Sequence, residues 1–372
     1  MAKKQFIVVL TLFLGFFTSY SQTDNSFFNQ QYQIQAIDSG KIYLKIHNTN
    51  FFKNNEYFGQ VADGFTAIGF HVTPQIEYIL SPKLEISGGV HLLKYSGRDD
   101  LTKAIPVLKV QYVPIKNLNI ILGNIYGSTN HQIIEPMFEF ERYLNNNTEN
   151  GLQFLWDSKN LHADLWLDWE QFILQGDPFQ EKFNVGLSSQ LTWFKLADRL
   201  DFTLDFQNIV RHEGGQVNTN ESYIKTLFNN ATGLGLNFYL KSAFVSNIKI
   251  TPYYVSYQDL SPTKRQMYID GNAFYTTLEL LSKNYNLFVG YWYSEQYITP
   301  LGNPLFESIS RTRWWVDNPI REILMAKISY HKNIFNGVDL SFRVETYSNL
   351  LNGNTDYSYG LIITFNERFL IR

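Results

Sequence analysis

The sequence contains no cysteine in 372 residues. That excludes disulfide scaffolds, zinc ribbons, iron–sulfur clusters, thiol catalysis and lipid attachment through a thiol. Charge is scarce as well. Asp, Glu, Lys and Arg make up 17% of the chain, against roughly 25% in an average soluble domain. Neither sign dominates, with 31 basic and 34 acidic residues, so nucleic acid is not expected as a partner. Beyond residue 22 no apolar run approaches the length of a spanning helix, which excludes a helical membrane protein. What the chain has in excess is aromatic: 30 Phe, 24 Tyr and 7 Trp. That content argues against disorder. The chain is nevertheless slightly hydrophilic on average.

The N-terminus points to export. Lys3 and Lys4 precede an apolar run at 6–17, broken only by Thr11 and Gly15, and Ser19 and Ser21 place small residues before Gln22. This is the layout of a secretory signal peptide over 1–21, cleaved near Ser21/Gln22. A membrane anchor would need about 20 apolar residues. The remainder reads as a periplasmic segment, 22–40, followed by a barrel, 41–372.

The rest of the chain alternates with period two. Leu200, Phe202, Leu204 and Phe206 alternate with Asp201, Thr203, Asp205 and Gln207. The same holds around Leu161 to Glu170, Val338 to Glu345 and Tyr357 to Asn366. Successive strand side chains point to opposite faces, so this is the strand signature. Sixteen strands are expected: 41–48, 65–80, 84–95, 105–113, 118–127, 149–158, 161–170, 182–194, 200–211, 231–242, 247–257, 271–282, 285–295, 320–333, 338–349 and 355–369. Fourteen to eighteen would fit the same pattern. The connections sort by parity. Even-numbered ones are short, such as 81–83 and 283–284. Odd-numbered ones are mostly long: 49–64, 96–104, 128–148, 171–181, 212–230, 258–270 and 296–319. Tight turns at one end and long loops at the other mark an outer-membrane barrel. The expected fold is an all-β transmembrane antiparallel up-and-down barrel. Aromatics near strand ends, such as Tyr253, Tyr254, Tyr257 and Trp193, fit interface girdles or ordinary strand preference.

The signal peptide, the loop parity and the aromatic alternation of 357–369 resemble the Gram-negative outer-membrane β-barrels of the porin-like kind. Segments 52–58 and 134–142 resemble stretches in largely uncharacterised barrels of this type. The resemblance implies the outer membrane as location. It implies lipid, the barrel-assembly machinery and small hydrophilic solutes as partners, and leaves room for a homo-oligomer.

If apolar positions face lipid, the lumen is lined by Glu77, Glu85, Asp164, Asp168, Asp201, Asp205, Glu279, Asp339 and Glu345, with Lys109, Lys249, Lys327 and Arg343. Nine acids against four bases give either a mildly cation-preferring pore or charges that pair across strands. The loop at 128–148 is the candidate constriction or plug, through Glu135, Phe138, Glu139, Glu141 and Arg142; a loop–loop lid would bury the same apolar groups. The expected function is a passive channel for small hydrophilic solutes. The alternative is a barrel that binds surface polysaccharide or a protein through its outer loops, where Trp314 and Trp315 stand.

Enzyme motifs are sparse. None of the seven histidines lies in the His-x-Ser-Asn arrangement of outer-membrane lipid hydrolases. Ser329 precedes His331 by two residues, without an oxyanion motif. Asp164 and Asp168 are about 13 Å apart along one strand face, beyond glycosidase separations of about 5–9.5 Å. No catalytic, metal or cofactor residue is assigned, and no enzymatic activity is expected.

Overall fold

The computed structural model describes residues 25–29, 33–197, 199–215, 217, 222–241 and 244–372. The signal-peptide segment 1–21 lies outside them. Sixteen strands close into one antiparallel barrel, each paired with its chain neighbours and β1 with β16. In order they are β1 Ile42–Glu56, β2 Phe65–Ser81, β3 Leu84–Tyr95, β4 Lys103–Tyr112, β5 Leu118–Ile125, β6 Glu149–Asp157, β7 Leu161–Gln171 and β8 Lys182–Leu196. The second half comprises β9 Leu200–Glu213, β10 Lys225–Tyr239, β11 Asn247–Asp259, β12 Asp270–Leu281, β13 Tyr285–Glu295, β14 Ile320–Phe335, β15 Val338–Asn349 and β16 Thr355–Leu370. Closure leaves no strand edge for the membrane to desolvate. The seam runs from Tyr43 opposite Leu370 to Glu56 opposite Tyr357.

Two strands extend further than their hydrophobic pattern. β1 continues through Glu56 instead of ending at 48, and β10 begins at Lys225 instead of 231. Both extensions mix polar with apolar residues. Lys53 and Asn55 of β1 point inward and are buried, and Asn229 of β10 does the same.

Alternation sets the faces. In β9, Asp201, Asp205, Ile209 and Arg211 are buried, whereas Leu204 and Phe206 between them are exposed. The buried side faces the barrel interior and the exposed side faces lipid.

The interior is filled. Among the inward side chains, Glu77, Gln153, Asp164 and Thr277 are all 0% exposed. The walls of an open aqueous channel would be wet; these are packed. The filling comes from the connection after β5, residues 126–148, and the one after β13, 296–319. Ile134, Met137 and Phe138 of the first pack with Tyr297, Leu301 and Phe306 of the second, against Trp166, Tyr253, Tyr275, Trp292 and Tyr347 of the wall. Each such apolar side chain contributes about 1.5–3 kcal/mol by leaving water. The two loops meet at Gly302, where a Cβ would lie 2.1 Å from the Pro136 carbonyl oxygen. Part of segment 22–40 also enters: Phe28 packs on Phe140 and Tyr143, and the Asn25 side chain accepts a hydrogen bond from Arg343 at 2.8 Å.

Candidate functional site

The charges singled out from the sequence sit in or near this interior. Glu77, Glu85, Lys109, Asp164, Asp168, Asp201, Asp205, Glu279, Lys327, Arg343 and Glu345 are buried; Lys249 and Asp339 are half-buried. Most are paired. Lys109 meets Glu85 at 2.9 Å and Lys195 meets Asp201 at 3.2 Å. Asp205 accepts from the Tyr253 hydroxyl at 2.7 Å, and Glu279 accepts from Asn286 at 3.2 Å. Arg343 meets Glu345 at 2.5 Å, and Lys53 meets the same carboxylate at 3.1 Å. Lys327 pairs with Glu135, which also accepts from the Tyr347 hydroxyl at 2.8 Å. Arg142 joins Glu170 at 3.1 Å, and Arg211 reaches the other oxygen of Glu170 at 2.5 Å. The inward cations Lys45, Lys53, Arg211 and Arg321 escaped the sequence reading. The first strand was cut short before Lys53; Lys45, Arg211 and Arg321 lay within expected strands but were not assigned to the inner wall.

His131, on a short turn of the in-folded loop, shows how tightly this is assembled. Its Nδ1 is 2.8 Å from Asp164 and its Nε2 2.9 Å from Glu149, and its ring stacks 3.6 Å from that of Trp166. Trp166 lies flat because Gly186 stands opposite; a Cβ there would sit 2.0 Å from the indole. Burial opposes protonation of His131, but Glu149 and Asp164 outweigh it and push its pKa up to about 9. Burial, helped by Glu141, pushes the Glu139 carboxyl up to about 7. These groups are inaccessible to a lipid outside the wall.

The outward face carries a different constellation. Six of the seven histidines point into the barrel; His212, near the long-loop end of β9, points out. It shares the outward phase of Phe202, Leu204 and Phe206. Its Nε2 is 2.9 Å from the Gly214 carbonyl oxygen and its Nδ1 2.9 Å from the Thr226 hydroxyl. A carbonyl can only accept, so Nε2 carries the proton. Nδ1 is then the acceptor, and the Thr226 hydroxyl donates to it. This is a hydroxyl, a base and a group that orients the base, in a row.

The register places the pair in a wider strip. Trp169 stands opposite Phe183, Phe183 opposite His212, and His212 opposite Thr226. The Trp169 and Phe183 ring centroids are 5.3 Å apart, and those of Phe183 and His212 4.8 Å. Beyond the strip, Phe172 and Leu174 are 66% and 67% exposed. The main chain of Thr226 is held from the other side. Its N–H donates to the Ser261 hydroxyl at 2.9 Å, and its carbonyl accepts from Leu260 at 2.8 Å. A depression lined by Gln180, Glu213, Ser222, Tyr223, Lys225 and Arg265 adjoins it, with Lys225 paired to Glu213 at 2.9 Å. The strip thus has an apolar flank, a polar pair and a polar flank that carries Lys225, Glu213 and Arg265. Sequence reasoning missed it because both His212 and Thr226 fell in a stretch read as loop, 212–230. The signal for His212 was there: it continues the even-numbered outward phase of Phe202, Leu204 and Phe206.

A family model described as lipid A 3'-O-deacylase-type matches residues 34–372. That description names an enzyme and overturns the expectation of no enzymatic activity. The motif search ran along single strands, whereas the outward His212 meets the Thr226 hydroxyl on the neighbouring strand. Among solved structures, the chain is similar to the outer-membrane protein OprD from Pseudomonas aeruginosa, at 10% identity and a TM-score of 0.51, covering 91% of this chain and 98% of that one. It is also similar to a loop-deletion mutant of OmpT, an outer-membrane protein of Vibrio cholerae, at 11% identity and a TM-score of 0.51, covering 89% and 100%. At such identities the likeness is one of fold. No curated protein matches the sequence.

Proposed function

The chain belongs to the lipid A 3'-O-deacylase-type family of outer-membrane barrels, and from that premise we propose that it hydrolyses an acyl ester of a lipid A-like glycolipid at its outward rim. The observation that carries this is His212. Its imidazole stands on the outer face beside an aromatic strip, between the Thr226 hydroxyl and the Gly214 carbonyl oxygen, and this row has the geometry of an activated nucleophile.

The Thr226 Oγ1 attacks the ester carbonyl carbon while His212 Nδ1 takes its proton. The tetrahedral adduct collapses, and the His212 imidazolium protonates the departing sugar oxygen. Water, deprotonated by His212, then hydrolyses the acyl-threonine, releasing the fatty acid and restoring the hydroxyl. The Gly214 carbonyl keeps the imidazole in the required tautomer throughout. Trp169, Phe172 and Phe183 offer an apolar shelf for the acyl chain. Arg265, in the adjoining depression, suits a phosphate of the headgroup.

Mass spectrometry of lipid A incubated with the purified barrel tests this. The native protein should remove one ester-linked chain. His212→Gln and Thr226→Val should each slow removal by about 100-fold or more, with heat-modifiable folding retained. Unchanged rates in both variants would refute the assignment.

Passive passage of small hydrophilic solutes is the second reading. The polar inner wall favours it, and the buried state of that wall opposes it unless the 126–148 loop withdraws.

A further inference from the structure

Between the in-folded loop and the wall formed by β1, β2, β4 and β5 lies a cavity of about 60 Å³. At about 10–15 Å³ per water, that is room for a few waters or one small oxyanion. Its lining is chemically one-sided. It includes Lys45, His47, Thr73, Lys109, Ser128 and Asn147, and among the described residues that line it none is Asp or Glu. The carboxylates that neutralise the lysines, Glu77 at 3.4 Å from Lys45 and Glu85 at 2.9 Å from Lys109, are not part of the lining. Ammonium, hydroxyl and amide groups converge there from both wall and loop.

Ser128 supplies the second observation. It is 4% exposed, and its hydroxyl has no hydrogen-bond partner. A buried hydroxyl left unsatisfied is costly and calls for an explanation. Its backbone is also held at φ +55°, where a non-glycine residue is strained. The Ser128 N–H donates to Glu149 at 2.9 Å, which fixes the turn. A strained residue that presents an idle donor to a cavity lined by two ammonium groups and no carboxylate is what an anion site requires.

We propose that this cavity binds a small tetrahedral oxyanion of the phosphate class, held by Lys45 and Lys109 and by the Ser128 hydroxyl. The site is separate from the His212–Thr226 strip and stands or falls without it.

Calorimetric titration of the folded full chain with inorganic phosphate, at constant ionic strength in chloride, is the test. The native protein should bind saturably with one site. Ser128→Gly removes the hydroxyl yet suits the positive φ, so it should fold at least as well and bind about ten-fold more weakly. Lys45→Met should weaken binding at least as much. Thr129→Ala removes a neighbouring buried hydroxyl that does not line the cavity and should leave binding unchanged. Absence of saturable binding by the native chain, or equal affinity in Ser128→Gly, would overturn the proposal. So would full competition by chloride.

Discussion

A histidine in this barrel is defined by the side of the wall it occupies. His131 faces in, between two carboxylates, and serves as a charged strut. His212 faces out, between a carbonyl and a hydroxyl, and is fitted to move a proton. The inward groups make the loop that carries them pH-sensitive. His131 has its pKa raised from 6.5 to about 9, so its stabilising share is complete below about 6.5 and is lost as pH rises through 9. Glu139 is raised from 4.5 to about 7, so the folded state holds its proton longer and loses stability as pH rises over that range. Hydrogen exchange across 126–148 should therefore quicken in two steps between about pH 5 and pH 9. Glu139→Gln should abolish the first step and His131→Gln the second. Exchange protection that is flat over this range would contradict the paired-strut reading.

Elements were more legible than their interactions. Period two gave the strands, because a wall between lipid and interior must alternate, and β13 and β15 run over the residues expected. The end of β1 and the start of β10 were not legible, since polar and apolar residues share both faces there and period two fades. The destination of the 126–148 loop was half legible: Ile134, Met137 and Phe138 are too apolar for an exposed loop. Their partners Tyr297, Leu301 and Phe306 lie some 160 residues away, and no local pattern pairs them. The His212–Thr226 pair was hidden for the same reason, because cross-strand register is a property of the sheet. The in-folded loop also predicts an electrical result. The native barrel in a planar bilayer should give no conductance steps, and a variant with 128–147 replaced by a short Gly/Ser linker should give stable ones. Native steps as large as the variant's would mean that the loop leaves the lumen readily.

At the scale of the whole molecule, composition and architecture say one thing. Many aromatics in a chain that is slightly hydrophilic on average describe a wall with lipid on one side. The other side holds a packed core as well as charge: Trp166, Trp292 and Phe306 are as buried as in any soluble protein. A sixteen-stranded barrel is wide enough for an aqueous channel, and here that width is spent on two loops and an N-terminal turn. Its interior thereby becomes a rigid support for a row of side chains outside. Peptide mapping after reaction with a long-chain alkyl fluorophosphonate tests this most directly, since the reagent labels an activated hydroxyl as an ester substrate would. The label is predicted on Thr226, and it should vanish in His212→Gln. A label on a lumen residue, or none on Thr226 in a folded protein that deacylates lipid A, would contradict it.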